Sequence, residues 1–297
     1  MSTTIAPFRL KPLLVERVWG SHDLRPWYSS TNNPLTSGPP IGEVWLSADN
    51  CLIETGPLAG RSLCDALNHF PLLVKMLFPQ DKLSVQVHPG DAYGPKAKTE
   101  CWYILHAEPG ATVALGRKPG TGAAGLARAI DEGTLESLLL HVPVAAGDMV
   151  YVPAGTVHAI GPGVVILEVQ QNSDTTYRLY DYGRPRELHL EQGLAVTRLT
   201  TDAGKIVPQQ LEFGSELISV PHFTVQRYDL GAEDQPTASM EFASLQSPQC
   251  LVALRGHAEL HCGETRLDLL PGHAVVVPAG AGSYSVQGTA ELIRCFV

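Results

Sequence analysis

Gly147-Asp148-Met149-Val150-Tyr151-Val152-Pro153-Ala154-Gly155, followed by His158, is the stretch whose reading decides the fold. Apolar residues run from Met149 to Val152 and a Pro/Gly turn stops them. The segment therefore reads as a strand that ends abruptly and presents a histidine just beyond its turn. The pattern recurs as Gly272-His273-Ala274-Val275-Val276-Val277-Pro278-Ala279-Gly280, with Ser283 standing where His158 stands in the first copy. The following runs, Val165-Ile166-Leu167-Glu168 and Ala290-Glu291-Leu292-Ile293, fall in the same register. A repeated strand–turn–strand unit implies two related β-barrels. The first is expected to carry chemistry, and the second to have kept the turn but lost the ligand.

Upstream, Gln86-Val87-His88 and Glu100 are polar side chains embedded in segments that otherwise read as strand. Gln86 and His88 are two residues apart, so in a strand both point to one face. Glu100 opens the strand-like run Cys101-Trp102-Tyr103-Ile104-Leu105. Two imidazoles, a carboxylate and an amide oxygen suit a borderline-soft divalent ion, zinc above all. Such a shell leaves room for water or a substrate oxygen, which points to a metalloenzyme on a β scaffold.

The 297 residues allow one large core or two moderate ones. The 28 Gly and 23 Pro fit many short strands joined by tight turns better than a helical bundle. Residues 62–70 read as a short helix with Ser62 as N-cap, 72–78 as a buried strand and 82–88 as another. Residues 125–131 and 135–140 have helical spacing and form an insertion between the strands bearing Glu100 and His158. Residues 188–199 are a further helix candidate, and 200–207 read as a linker. The division expected is a catalytic domain over 1–199 and a degenerate second domain over 200–297.

A formal net charge of −9 argues against nucleic-acid or anionic-membrane partners. A small anionic ligand remains compatible with it, given a local positive field. The N-terminal segment lacks a basic start followed by an apolar stretch, and no apolar run is long enough to span a bilayer. The six cysteines include no CxxC pair, so reduced thiols in a cytoplasmic protein are expected, with Cys101 a core residue.

Gly147-x5-Pro153-x-Gly155-x2-His158 resembles the second characteristic motif of the cupin superfamily. Gln86-Val87-His88 with Glu100 resembles the first, with Gln86 replacing its usual first histidine. That departure, together with Lys98-Thr99-Glu100 and Tyr177-Arg178, is similar to the type I mannose-6-phosphate isomerases in their short bacterial form. The resemblance runs from Pro12-Leu13 through Arg184, with a weaker second-cupin echo to Val297. It implies a mostly β fold of two cupin-type (jelly-roll) barrels with a small helical insertion. It also implies one zinc ion per chain, held by Gln86, His88, Glu100 and His158, and interconversion of mannose 6-phosphate and fructose 6-phosphate. Ser84, Lys98 and Arg178 carry over by local match as substrate-binding residues, and Glu168 and Asp174 match acidic positions of the family's pocket. The chain departs at Trp19-Gly20-Ser21, where relatives often carry a second Gly, and it lacks the long helical domain of larger members.

Aldose–ketose isomerisation moves a proton between adjacent carbons. It needs an electrophile for the developing oxyanion, a base, and a grip on the distal phosphate. Lys98 is expected in an acid/base or phosphate role and Arg178 in a stabilising or orienting one, with Glu168 and Asp174 as rival proton shuttles. Asp181 and Arg184 read as an ion pair in a turn. His22, His69, His106, His141, His189, His222, His257, His261 and His273 read as structural or surface residues, and Trp19 and Trp45 as core aromatics. Two rival functions are a cupin that senses a sugar phosphate without turning it over and an iron-dependent redox cupin, against which Gln86 speaks.

Overall fold

The computed structural model describes residues 5–28, 38–231 and 238–297. Its strands form three sheets of nine, seven and five strands, and every strand pairing within them is antiparallel. The seven-stranded sheet runs, in spatial order, Gly204–Ile206, Met149–Val152, Glu100–Ala107, Val164–Gln171, Leu72–Leu77, Ile41–Trp45 and Leu13–Ser21. Strand parity explains its place as the central layer. Trp102, Ile104, Val164 and Ile166 pack in one apolar cluster, while their alternating neighbours Cys101, Tyr103, Leu167 and Val169 pack in another with residues of the nine-stranded sheet. Burial on both faces accounts for the near-continuous apolar runs in its inner strands.

The five-stranded sheet is ordered Tyr177–Tyr180, Val85–Val87, His158–Ile160, Thr112–Arg117 and Leu139–Pro143. Its outer face packs on the helix Ala123–Asp131, through Leu126 and Ile130, and on Leu135 of the following 3₁₀ turn Leu135–Leu138. The helical insertion thus sits where the sequence pattern places it, with its second part a 3₁₀ turn rather than a full helix.

The nine-stranded sheet holds the rest of the chain beyond residue 208 together with the early strand Phe8–Leu10, which pairs with Ala274–Val277. Conversely, Gly204–Ile206 pairs with Met149–Val152 of the central sheet, so the expected linker is in part an edge strand. The strand paths of all three sheets are open-ended, and the architecture is one of stacked sheets. Other differences are local. The early helix is Leu63–Leu67, capped by Ser62, whose Oγ accepts from Asp65 N at 3.1 Å. The later helix is Leu190–Val196. The strand expected over 82–88 is confined to Val85–Val87; Leu83 N still bonds Ile160 O of the neighbouring strand at 2.9 Å, and Pro89 supplies no donor beyond it.

Both copies of the repeat fold as the sequence requires, as Met149–Val152 and Ala274–Val277, each followed by its Pro/Gly turn. They then diverge. The second copy continues as one long strand, Tyr284–Phe296. The first is broken by Gly161-Pro162-Gly163 into His158–Ile160 and Val164–Gln171. That break lets the chain step from the five-stranded sheet to the central one, so His158 and Glu168 lie in different sheets. Gly155 fixes the turn before it. At φ +85°, its N–H donates to His88 O at 2.9 Å, and an added Cβ would lie 2.6 Å from Arg198 Cγ.

A candidate metal centre and its cavity

The central and five-stranded sheets trap polar groups between them. His158 lies directly opposite Gln86, and Gln86 directly opposite Arg178, across adjacent strands of the five-stranded sheet. His88 follows the Gln86 strand at its Pro-Gly exit, on the same side by the two-residue period. From the central sheet, Glu100 leads the strand that faces them.

His88 Nε2 lies 3.4 Å from Glu100 Oε2, His158 Nε2 lies 3.4 Å from Glu100 Oε1, and the Gln86 amide lies 3.2 Å from His158 Nε2. Ligands held tetrahedrally at the usual zinc bond lengths stand about 3.3–3.5 Å apart, so the observed spacings are edges of such a shell. One ligand atom each from His88, Glu100 and His158 fall within 4.8 Å of one another, and all three residues are buried.

The ring orientations are set from outside the cluster. His88 Nδ1–H donates to Thr175 O and His158 Nδ1–H to Thr156 O, each at 2.9 Å. With the Nδ1 protons so placed, both Nε2 atoms present lone pairs inward. Burial, with Lys98 and His158 beside it, pushes the His88 imidazolium far below its ordinary range, and burial brings His158 down to about 4. Both rings are thus neutral and able to ligate near pH 7. Among the described residues His88 Nε2 is buried without a hydrogen-bond partner, an arrangement costly for a protein that leaves it bare and natural for one that binds a cation there. Rotating the Gln86 amide by half a turn about its last bond presents Oε1 as the fourth ligand. The donor set therefore fits a divalent ion.

A chain of paired charges, buried except for Arg17 at its end, runs from this cluster through the central sheet. Lys98 Nζ lies 2.9 Å from Glu100 Oε2 and 3.5 Å from Glu168 Oε1. Lys75 Nζ lies 3.0 Å from Glu168 Oε1 and 3.7 Å from Glu43 Oε2, and Arg17 Nε lies 2.9 Å from Glu43 Oε1. Lys75 and Glu168 are direct cross-strand neighbours. Burial raises the Glu43 carboxyl, but Lys75 and Arg17 override it and bring it down to about 2. Burial likewise opposes the Lys75 charge, and Glu168 and Glu43 outweigh it to raise its pKa.

A cavity of about 430 Å³ opens onto this row; Ser84, Gln86, Lys98, Glu168, Asp174 and Arg178 all line it. Every site residue expected from the sequence thus falls in the metal cluster or on the cavity wall. Glu168 and Asp174 separate by burial: Glu168 is 3% exposed and held between two lysines, whereas Asp174 is exposed at the rim.

Arg17, Glu43, Lys75 and Arg186 also line the cavity and were not foreseen. A signal existed for Lys75, the one charge inside Leu72-Leu73-Val74-Lys75-Met76-Leu77-Phe78, because a charge in an apolar run must be paired. Trp19 and Trp45 are packed as expected, yet Trp19 reaches the cavity wall and Trp45 Nε1 donates to Glu43 Oε2 at 2.6 Å. None of the other nine histidines is buried. Asp181 pairs with Arg184 at 3.6 Å as expected, and more closely with Arg186 at 2.6 Å. Cys101 is fully buried, and the six cysteines are free thiols.

A cupin with a metal-ligating centre is the class that this architecture and this cluster define. Residues 215–297 match the family described as mannose-6-phosphate isomerase, cupin domain. A mannose-6-phosphate isomerase of Bacillus subtilis (strain 168) is 34% identical to this chain over 98% of each sequence. The chain belongs to the type I mannose-6-phosphate isomerase family of the cupin superfamily. A crystal structure of the mannose 6-phosphate isomerase from Bacillus subtilis matches it with a TM-score of 0.86 at 28% identity, over 99% of this chain and 100% of that one. A zinc-bound mannose 6-phosphate isomerase shares the fold at 19% identity, with a TM-score of 0.76 over 98% of this chain and 99% of that one.

Proposed function

We propose that this chain is a zinc-dependent isomerase that interconverts mannose 6-phosphate and fructose 6-phosphate by proton transfer through an enediol. The observation that carries the reading is the tetrahedral-edge spacing of Gln86, His88, Glu100 and His158 beside a cavity lined by Lys98, Glu168 and Arg178. Bound zinc, one per chain, supplies a Lewis acid for the sugar oxygens.

The chain's own residues do the rest. Lys98 stands between Glu100 and Glu168 and holds or moves the proton passed between C-2 and C-1, with Glu168 as the adjoining shuttle. Arg178, directly opposite Gln86, orients the substrate, and Ser84 binds it from the cavity wall. Asp174 serves from the rim.

All these residues lie within the proposed catalytic domain, 1–199. The proposed second cupin unit, 200–297, carries no metal ligand of this set, and the strands Phe8–Leu10 and Gly204–Ile206 cross that division to pair. Among the described residues no helix is long and apolar enough to cross a membrane, and the free thiols support a cytoplasmic setting. The sugar phosphate is the partner; nothing in an acidic chain of net charge −9 favours nucleic acid.

Turnover in deuterium oxide tests the reading. Mannose 6-phosphate should yield fructose 6-phosphate that acquires solvent deuterium at C-1, with deuterium reaching C-2 of mannose 6-phosphate on reversal. Conversion with no solvent label in either sugar counts against proton transfer through a solvent-exchanging base, and binding without conversion means a sensor.

A further inference from the structure

The cavity wall carries three arginines besides its two lysines. Arg17 lies on the edge strand Leu13–Ser21 of the central sheet and Arg178 on the edge strand Tyr177–Tyr180 of the five-stranded sheet, with Arg186 just beyond it. All three line the same cavity as Gln86, Lys98 and Glu168.

Each guanidinium is anchored by protein acceptors, and Arg17 Nη1 also donates to Glu16 O at 3.3 Å. Glu43 accepts from Arg17 Nε at 2.9 Å and from Nη2 at 3.2 Å. Asp181 accepts from Arg186 Nε and Nη2, both at 2.6 Å. Arg178 Nη1 donates to Glu187 O at 2.7 Å, and its buried Nε has no hydrogen-bond partner among the described residues. Each buried carboxylate beside the arginines is shared between two cations: Glu43 between Arg17 and Lys75, Glu168 between Lys75 and Lys98, and Asp181 between Arg186 and Arg184. Glu16 and Asp174, the other acids on the wall, are exposed. Crowding is evident at Arg178, whose pKa is lowered first by burial and then by Arg186, with Arg17 contributing. Like charges held this way are relieved by a bound dianion, and planar guanidinium forks match phosphate oxygens.

We propose that Arg17 and Arg186, together with Arg178, form the subsite for the substrate's phosphate, so that Arg17 and Arg186 determine specificity for a phosphorylated sugar. The assignment rests on the isomerase reading and deepens it. With the phosphate held there, the sugar's C-1 and C-2 point toward Gln86, Lys98 and Glu168, which frees Lys98 for proton transfer.

The test uses the zinc-loaded protein and three variants. Arg186→Gln removes one fork, Asp181→Asn/Arg186→Gln avoids stranding the buried Asp181 carboxylate, and Arg17→Lys keeps a partner for Glu43 while losing the fork. Each should raise KM for mannose 6-phosphate about tenfold with kcat within about threefold, and weaken calorimetric binding of inorganic phosphate about tenfold. Melting temperature and zinc content confirm that the fold and metal are intact. Wild-type turnover with KM and phosphate affinity unchanged in all three variants overturns the subsite. Wild-type protein that binds phosphate through these arginines but never isomerises the sugar keeps the subsite and overturns the isomerase reading instead.

Discussion

His158→Ala loses bound metal and mannose 6-phosphate turnover together, with kcat lower by about three orders of magnitude or more. The expectation follows from how completely this ring is committed to the centre. It is fully buried, its Nδ1–H is fixed on Thr156 O at 2.9 Å, and its Nε2 stands 3.4 Å from Glu100 Oε1. Trp102 packs edge-on against it with ring centroids 5.6 Å apart and also donates Nε1–H to Glu100 Oε1 at 3.1 Å. No neighbour on that wall offers a replacement ligand, because the opposite residue is already Gln86 and the next strand presents Leu115. Metal analysis of the purified variant beside its rate makes the check. His222→Ala, which removes a partly exposed ring paired with Asp91 at 3.0 Å, serves as a control and should change neither. Full metal content or near-normal kcat in His158→Ala contradicts the ligand assignment.

Lys98→Met lowers kcat by about 10²–10⁴ while the metal stays bound. Methionine keeps most of the stem volume in a site where Lys98 is 3% exposed. The charge can be removed without collapse because both of its partners retain others: Glu168 stays 3.0 Å from Lys75, and Glu100 keeps its place between the two imidazoles. The loss therefore falls on the reacting proton rather than on folding. Asp174→Asn, at the exposed rim, should cost less than about tenfold and Glu168→Gln more than that, the order that ranks Glu168 above Asp174 as the shuttle. The readout is kcat at saturating substrate beside zinc content for each variant. Lys98→Met within about threefold of wild type removes the lysine from the chemistry.

The cluster of His88, Glu100 and His158 that could hold a metal was legible because its signals are local. The two-residue strand period aligns Gln86 with His88, and the Pro-x-Gly turn fixes His158 at the start of the next strand. What local pattern does not carry is layer and register. Lys75 acquires meaning only when it pairs opposite Glu168, and Glu43 only when its strand lies beside that of Lys75. Arg186 reads as one of several arginines near a turn until Asp181 turns it toward the cavity. The same limit applies to the fold. The repeat announces two related units, but the early strand Phe8–Leu10 joins the sheet of the second and Gly204–Ile206 closes an edge of the first. Those pairings depend on contacts between distant segments, which composition and periodicity do not encode.

The most direct measurement is the rate of fructose 6-phosphate formation from mannose 6-phosphate by one preparation assayed as purified, after metal removal by a chelator, and after zinc is restored. The account predicts turnover that disappears with the metal and returns on adding about one equivalent of zinc. Turnover that survives in demonstrably metal-free protein, or a folded, zinc-loaded protein that forms no fructose 6-phosphate, contradicts it.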